Sequence, residues 1–520
     1  MLRRKHKSAA TNGGLFADLI RRWNSADAEF LALDNKQVHS AGRIHSWEAT
    51  LAAAASVPVF FRWLPWLSQE CSQRWLGDRV FFFPDGVPLQ RRIALISSRL
   101  RRRLDLETWW FDLLRTMTLQ CNRRSEAVLV AESTTACEAA ARAACLFGRS
   151  MIRIRCPDPL PVRSPHQVED WFRDCLNQME IAEATGTAGK VYRVWVSPEI
   201  NLDLIGSRAS SALWDSLPLA DRLLFAAADR LQVLACRSRG VVAELLRRHL
   251  NDEERQRCPV LVAADEAGRL PAVTSLLPDG WVPLLLEPCL QKPGPAADRD
   301  VDSSSRSAHR LTEGGPLEAP ADWLLHWTRA ASGPWPNEPT ESFFDALLLH
   351  AESDRSALTT LLKIIAEGRL LASSDGIRGA YKVVAFTGVP LGEFRQRRVF
   401  RRHRHRFDFE PWGIAVRRTE LQKRGVRPVR YGDDNLWRRL PAEEKPFFQK
   451  ATRGGATSNL DEAEWRVTEN VDLTGFPQDA VRIFVDTAEA AEMLALHCPW
   501  AIIVLPKVQD QAIPNKRRQR

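Results

Sequence analysis

The sequence predicts an α/β protein in two parts: N-terminal helices leading into a doubly wound, mostly parallel sheet, then a separate α+β domain. Three observations predict it. Short apolar runs alternate with helical patterns between about residues 91 and 290, the signature of strands buried on both faces by crossover helices. Residues 291–320 (QKPGPAADRDVDSSSRSAHRLTEGGPLEAP) are rich in Pro, Gly, Ser and charge. Such a stretch buries too little apolar surface to offset its ordering entropy, so it reads as a linker. Trp323, Trp327 and Trp335 then cluster where a new core begins.

Residues 1–90 read as helices and short connectors with aromatic clusters at Phe60–Trp66 and Phe81–Phe83. In the α/β region, residues 92–96, 127–131, 151–154, 191–196, 231–235 and 259–263 are the expected strands. Helices are expected at Leu106–Met117, Thr135–Leu146 and Gly240–His249. In such sheets ligands bind at the carboxyl ends of strands. Three strands end there in small or polar residues: Ser97-Ser98-Arg99, Glu132-Ser133-Thr134-Thr135 and Cys236-Arg237-Ser238-Arg239-Gly240. Ser97, Ser133, Thr134 and Ser238 are therefore the candidate crevice residues. Ser133 and Thr134 either cap the following helix or hold an anion on its free N–H groups. Neither a G-x-G-x-x-G fingerprint nor a P-loop occurs. The order of parts loosely resembles the nucleotide-binding Rossmann-like folds of the lysine-decarboxylase-like and TIR-like groups, which implies a nucleotide or nucleoside ligand.

Composition bounds the rest. The 520 residues are 45% hydrophobic and 26% charged, a globular composition. No run of 18 uncharged apolar residues is present, so no membrane span is expected. The net charge of +9 and pI near 9.2 suit a polyanionic partner without requiring one. Ten scattered cysteines form no C-x-x-C pair, so reduced thiols in a cytoplasm are expected, with neither a disulfide framework nor a metal site. No paired-carboxylate-plus-lysine or H-N-H pattern points to a nuclease.

The C-terminal part, residues 321–508, carries four ordered features before a basic tail at 509–520. His326 and Thr328 stand two apart in a strand-like segment, hence on one face. A helix is expected over Ser356–Glu367, with Gly368 as its stop. Tyr381–Thr387 reads as a strand. Glu462–Val467 reads as another, with Glu462, Glu464 and Arg466 on one face. Trp412–Val416 and Gly425–Gly432 supply two scaffold strands around a short helix. Seven arginines lie within residues 395–406; Arg397, Arg398, Arg401 and Arg402 are candidates for contact with a nucleic acid or with the NAD pyrophosphate, or for a solvated face.

His326-Trp327-Thr328, then Ile365-Ala366-Glu367-Gly368-Arg369-Leu370, then Glu464 together resemble the ADP-ribosyltransferases, most closely the nucleic-acid-modifying DarT-type branch. Glu462-Ala463-Glu464 also has the E-x-E spacing of other transferases of that fold. The resemblance implies NAD as cosubstrate and Glu464 as the catalytic carboxylate. His326, Thr328, Thr387 and Glu462 would line the NAD site, and Tyr381 would stack on nicotinamide, with Phe386 or Trp412 as alternatives. A carboxylate beside the ribose suits the oxocarbenium-like state of nicotinamide cleavage. Trp327 departs from the smaller residue of the family pattern, no R-S-E motif occurs, and the long N-terminal half belongs to no compact toxin of this type. The expectation is an NAD-dependent transferase that modifies nucleic acid or protein, in the manner of a defence toxin, regulated by the first domain; the alternative is a non-catalytic protein binding nucleotide or nucleic acid.

Overall fold

The computed structural model describes residues 59–157, 189–199, 216–264, 320–393, 409–451 and 463–505, apart from 62, 78, 352 and 375, together with 171, 400–401 and 406–407. The expected linker and basic tail, residues 1–58 of the expected helical region, and Arg397, Arg398, Arg402 and Glu462 lie outside the described residues, except for Pro320 of the linker. The chain divides into two compact units. One comprises Met1–Arg101, Glu107–Pro293 and Phe344–Ala351, and the other Arg102–Leu106, Gly294–Phe343 and Glu352–Arg520.

The first unit is built on an eight-stranded sheet. Its elements in chain order are β1 (Val59–Phe61), α1 (Gln69–Leu76), β2 (Phe81–Phe83), β3 (Arg91–Ser97), α2 (Thr108–Gln120), β4 (Glu126–Ala131), α3 (Cys137–Leu146), β5 (Ser150–Arg155), β6 (Val191–Val196), α4 (Leu219–Ala227), β7 (Arg230–Ala235), α5 (Val241–Asn251) and β8 (Val260–Val262). The strand order is β1-β2-β6-β5-β4-β3-β7-β8. From β6 through β8 all neighbours are parallel, while β2 pairs antiparallel with both β1 and β6. The stretch 59–90 was expected to be helices and connectors. It holds helix α1, as expected, but also two strands that extend the sheet, Phe81, Phe82 and Phe83 all being buried.

The sheet is doubly wound, and handedness dictates where the helices go. Strands β3, β4, β5 and β6 step in one direction, whereas β7 and β8 lie on the other side of β3. Right-handed crossovers in opposite directions place their helices on opposite faces. Accordingly, α2 and α3 pack against β7, β4 and β5, whereas Trp75 of α1, Leu224 of α4 and Leu245 of α5 join a different core with Ala94, Ile96, Leu129 and Val233. No helix among the described residues is long and apolar enough to cross a membrane.

The second unit holds a seven-stranded sheet. Its elements are β9 (Trp323–Trp327), α6 (Thr340–Leu349), α7 (Ala357–Glu367), β10 (Arg369–Leu370), β11 (Val384–Thr387), β12 (Phe400–Arg401), β13 (Arg406–Phe407), β14 (Gly413–Arg417), α8 (Arg418–Lys423), β15 (Arg427–Pro428), β16 (Arg430–Gly432), α9 (Asp434–Arg439), β17 (Phe448–Lys450), β18 (Glu464–Val467), β19 (Val471–Asp472), β20 (Val481–Val485), α10 (Ala488–Ala495) and β21 (Ala501–Val504). Helix α6 straddles the division, its residues from Phe344 grouping with the first unit. The main sheet runs β15-β18-β11-β9-β14-β20-β21, and β10-β19, β12-β13 and β16-β17 form small pairs. Helix α7 starts at the Ser356 cap and ends at Gly368 in the left-handed region at φ 65°, as its sequence foretells. The expected strand Tyr381–Thr387 is shorter, beginning at Val384, because Ala380 takes a positive φ of 56° and turns the chain just before it.

Period-two alternation assigns each residue of this sheet to a face. Leu324, Val384, Phe386, Ile414, Val416, Val467 and Ile483 share one core with Leu361 and Ile365 of α7 and Leu494 of α10. Trp323, Leu325, Trp327, Ala415, Phe484 and Ile503 form a second core on the opposite face. Gly413 permits this packing, since a Cβ there would lie 2.3 Å from the His326 carbonyl oxygen and 2.4 Å from the Phe484 ring. Gly413→Ala is expected to lower stability by about 1–3 kcal/mol through overpacking, measured as a drop in melting temperature; an unchanged melting temperature would refute the close-approach account.

Candidate functional site

The strand order of the first sheet reverses at β3, so the chain leaving β3 and the chain leaving β7 part to opposite sides. In doubly wound sheets such a reversal is where the ligand crevice lies, at the carboxyl ends of the strands. Ser98 joins the two ends: its N–H donates to the Ala235 carbonyl at 2.8 Å, and its hydroxyl accepts the Arg237 N–H at 3.1 Å. The Arg237 guanidinium donates to the Arg99 carbonyl at 2.7 Å. Beyond this junction Arg237, Ser238, Arg239 and Gly240 are all exposed, and Gly240 stands at φ 122° as the N-cap of α5 without a side-chain cap.

Helices α2, α3, α4 and α5 all follow strands of the parallel set, and none has a side-chain hydrogen bond at its N-cap. By contrast, Ser68 caps α1. An uncapped N-terminus presents N–H donors and the positive end of the helix dipole. With three exposed guanidiniums at Arg99, Arg237 and Arg239, the junction attracts anions.

Four residues were expected to line this crevice, and they divide. Ser238 stands at the β3–β7 junction, exposed. Ser133 is exposed too, on the neighbouring β4–α3 turn, and holds φ at 72°. The other two are engaged by the fold. Ser97 is buried; it donates to the Ser98 carbonyl at 2.8 Å and accepts the Trp110 indole N–H at 3.0 Å, tying α2 to β3. Thr134 donates to the Ala131 carbonyl at 2.7 Å and closes its own turn. Neither Ser133 nor Thr134 caps α3, whose N-cap is Ala136. The candidate set had left out Arg99, Arg237, Arg239 and Gly240. Their signal was legible as paired arginines around a serine and glycine at a helix start.

Further along the same edge Glu132 lies 3.3 Å from Arg153 and 3.8 Å from Arg155, so its carboxylate is neutralised. Asp221, in the first turn of α4, is pushed up to about 6 by burial. The eight described cysteines are free thiols. Burial pushes Cys71, Cys137 and Cys156 up to about 12, which makes them poor nucleophiles. Among the described residues no group of three or more His, Cys, Asp or Glu is arranged to hold a metal ion.

In the second unit, register decides which expected residues meet. Thr387 on β11 lies opposite Leu325 on β9 and opposite Glu464 on β18. Thr387 and Glu464 therefore share a face with Leu325. His326, one residue on, pairs with Ile414 and lies on the other face, its ring edge-on to Phe386 at 5.8 Å. The expectation that His326 and Glu464 line one pocket is not met, because the sheet stands between their side chains.

Each of these groups also has a partner in the fold. His326 Nδ1 lies 2.9 Å from the Ala385 carbonyl, which accepts, so Nδ1 carries the proton. Burial pushes this imidazole down to about 4. The buried Thr328 hydroxyl donates to the Trp412 carbonyl at 3.0 Å. Thr387 accepts the Val389 N–H at 3.1 Å. The Glu464 carboxylate takes two bonds from Arg466, at 2.8 and 3.2 Å. Arg466, only 1% exposed, also donates to the carbonyls of Pro446 and Phe448 and to the Gln449 side chain, which uses all five of its donors. Tyr381 lies beside Trp437, ring centroids 6.3 Å apart. Arg401 sits on β12, where only the backbone is described.

No protein-family model matches the chain, and no curated protein matches it. Among solved structures, the X-ray structure of DNA processing protein A (DprA) from Streptococcus pneumoniae aligns with 46% of this chain and 74% of that one, at 13% identity and a TM-score of 0.26. At that score the likeness carries no inference for this chain.

The neutral His326 has a consequence in acid. Its ordinary value near 6.5 applies to the unfolded chain, and its folded value is about 4. Between those values the unfolded state binds a proton that the folded state does not, so stability is full above pH ~6.5 and falls as pH drops toward 4. His326→Gln is expected to show a smaller loss of melting temperature between pH 6.5 and 4 than the wild type; parallel curves would remove His326 as a source.

Proposed function

We propose that this protein binds a phosphorylated ligand, a nucleotide, at the carboxyl edge of the first sheet between β3 and β7. One observation carries the reading: Arg99, Arg237, Ser238 and Arg239 are gathered, solvent-facing, where the strand order reverses and the uncapped α5 begins. Guanidiniums bind phosphate oxygens in pairs, helix N–H groups add donors, and Gly240 leaves open space for close approach. Ser238 supplies a hydroxyl to the same ligand. Buried, poorly reactive thiols suit a reducing compartment, so we place the protein in the cytoplasm.

Calorimetric titration of the full-length protein with nucleoside mono-, di- and triphosphates and with pyrophosphate tests this reading. Replacing both Arg237 and Arg239 by Ala is expected to weaken binding at least ~10-fold, since each charge-assisted hydrogen bond contributes about 1.5–3 kcal/mol. Equal affinity in wild type and variant would sink the proposal.

A second reading concerns the other unit: ADP-ribosyl transfer from NAD to a nucleic acid or protein, with the first unit as its regulator. What favours it is the placement of Thr387 and Glu464 side by side on one sheet face. In this reading Glu464 stabilises the positive charge developing at the ribose, and Arg466 fixes the carboxylate's orientation. His326 takes no part on that face. Nicotinamide release from NAD is expected to be lost in Glu464→Gln, which keeps an acceptor for Arg466. Absence of turnover in the wild type, or full turnover in the variant, removes this reading.

A further inference from the structure

We infer that the second unit carries a binding surface for single-stranded nucleic acid centred on Trp437. Three chain segments build it: the loop Gly376–Lys382, helix α9, and the stretch from Lys445 through β17. The Trp437 ring lies 5.3 Å from that of Phe448, which is 1% exposed and forms the floor. Tyr381 approaches from the side, and both Tyr381 and Trp437 remain partly exposed. Two cations lie against the indole: the Arg378 guanidinium at 4.7 Å and the Lys445 ammonium at 5.5 Å from the ring centroid.

The loop is shaped for this arrangement. Gly376, Gly379 and Ala380 all take positive φ, at 73°, 81° and 56°. For Ala380 that conformation costs roughly 1–2 kcal/mol, which the rest of the loop must hold in place. A Cβ on Gly379 would lie 2.6 Å from the Tyr381 ring and 3.2 Å from Trp437, so only glycine lets the backbone press this closely on the aromatic pair. Asp434 anchors the rim by pairing with Arg378 and, at 2.8 Å, with Lys450; Arg430 pairs with Glu444. Exposed Lys382, Arg438 and Arg439 complete a cationic border around the aromatic centre. The three segments carry six cations, Arg378, Lys382, Arg438, Arg439, Lys445 and Lys450, against one carboxylate, Asp434, with Asp433, Glu443 and Glu444 adjoining them.

Aromatic faces bordered by cations match a strand whose bases are unpaired. A cation over an exposed ring contributes about 0.5–1 kcal/mol, while a base stacked on an aromatic side chain contributes about 1–3 kcal/mol. Giving up two such contacts roughly offsets one stacked base, so the net gain comes from Arg378 and Lys445 turning to the flanking phosphates, Arg378 exchanging its pairing with Asp434 for a phosphate contact. A duplex offers phosphates but keeps its base faces stacked, so it meets the border and not the centre.

The test is fluorescence anisotropy of the full-length protein with a labelled twelve-nucleotide oligothymidylate and a duplex of equal length, at two salt concentrations. Trp437→Ala is expected to weaken single-strand binding about tenfold and leave duplex binding unchanged, while Trp437→Phe retains most of the single-strand affinity. Arg438→Glu with Arg439→Glu is expected to weaken both and flatten the salt dependence. Equal single-strand affinity in Trp437→Ala and wild type overturns the proposal, as does a preference for the duplex or for anionic lipid vesicles. If only the Arg237/Arg239 double variant loses oligonucleotide binding, the strand is held by the first unit and this surface is not its site.

Discussion

The parallel core of the first unit, β3 to β8 and the helices between them, follows from the handedness of its crossovers. A right-twisted strand feeding a helix returns to the sheet on one hand only, so a sheet that grows leftward from β3 and then rightward must change faces. The change separates the loop after β3 from the loop after β7, and the gap between them is a product of topology before any side chain is chosen. What this chain adds is chemistry: Ser98 bridges the two strand ends, and arginines stand above it. The bridge ties the two strand ends together, and the exposed arginines give the junction a positive charge.

The second unit answers a different constraint. Its sheet has an apolar core on each face, so polar side chains within it must find partners internally or incur a desolvation penalty. His326, Thr328 and Thr387 do so through backbone groups. Arg466 does so on a larger scale, by drawing in a carboxylate, a side-chain amide and two carbonyls. A transferase motif read as a string of letters thus becomes, in three dimensions, a set of groups whose hydrogen bonds are largely committed to holding strands together.

How much of this the sequence foretold depends on what each feature rests on. Strands β3 to β8 are apolar runs between polar breaks, and helices α2, α3, α5 and α7 carry their periodicity in plain view, so they were legible to within a few residues. Strands β1 and β2 are three residues each, too short for any period to show. Tyr381 was assigned to a strand because the run Tyr381–Thr387 is rich in β-forming residues, but Ala380 turns the chain. The relation of His326 to Glu464 was beyond reach. It depends on Thr387 facing Leu325 rather than His326, and a shift of one residue exchanges the faces. The Trp437 surface was missed for a related reason: its parts lie some sixty residues apart, from Arg378 to Trp437, and no local pattern joins them.

The saturated guanidinium of Arg466 bears on motion as well as on structure. Since five hydrogen bonds converge on one planar group, the segment Pro446–Gln449 and the strand Glu464–Val467 do not loosen independently. Release of either leaves a buried cation short of acceptors, which raises the free energy of any partial opening until both let go. The two segments therefore form one cooperative element, and amide hydrogens on either side of the guanidinium should exchange with solvent through a common event. A ligand that grips the Trp437 surface, whose floor is Phe448, would then slow exchange in β18 as well, across a connection made by a single side chain.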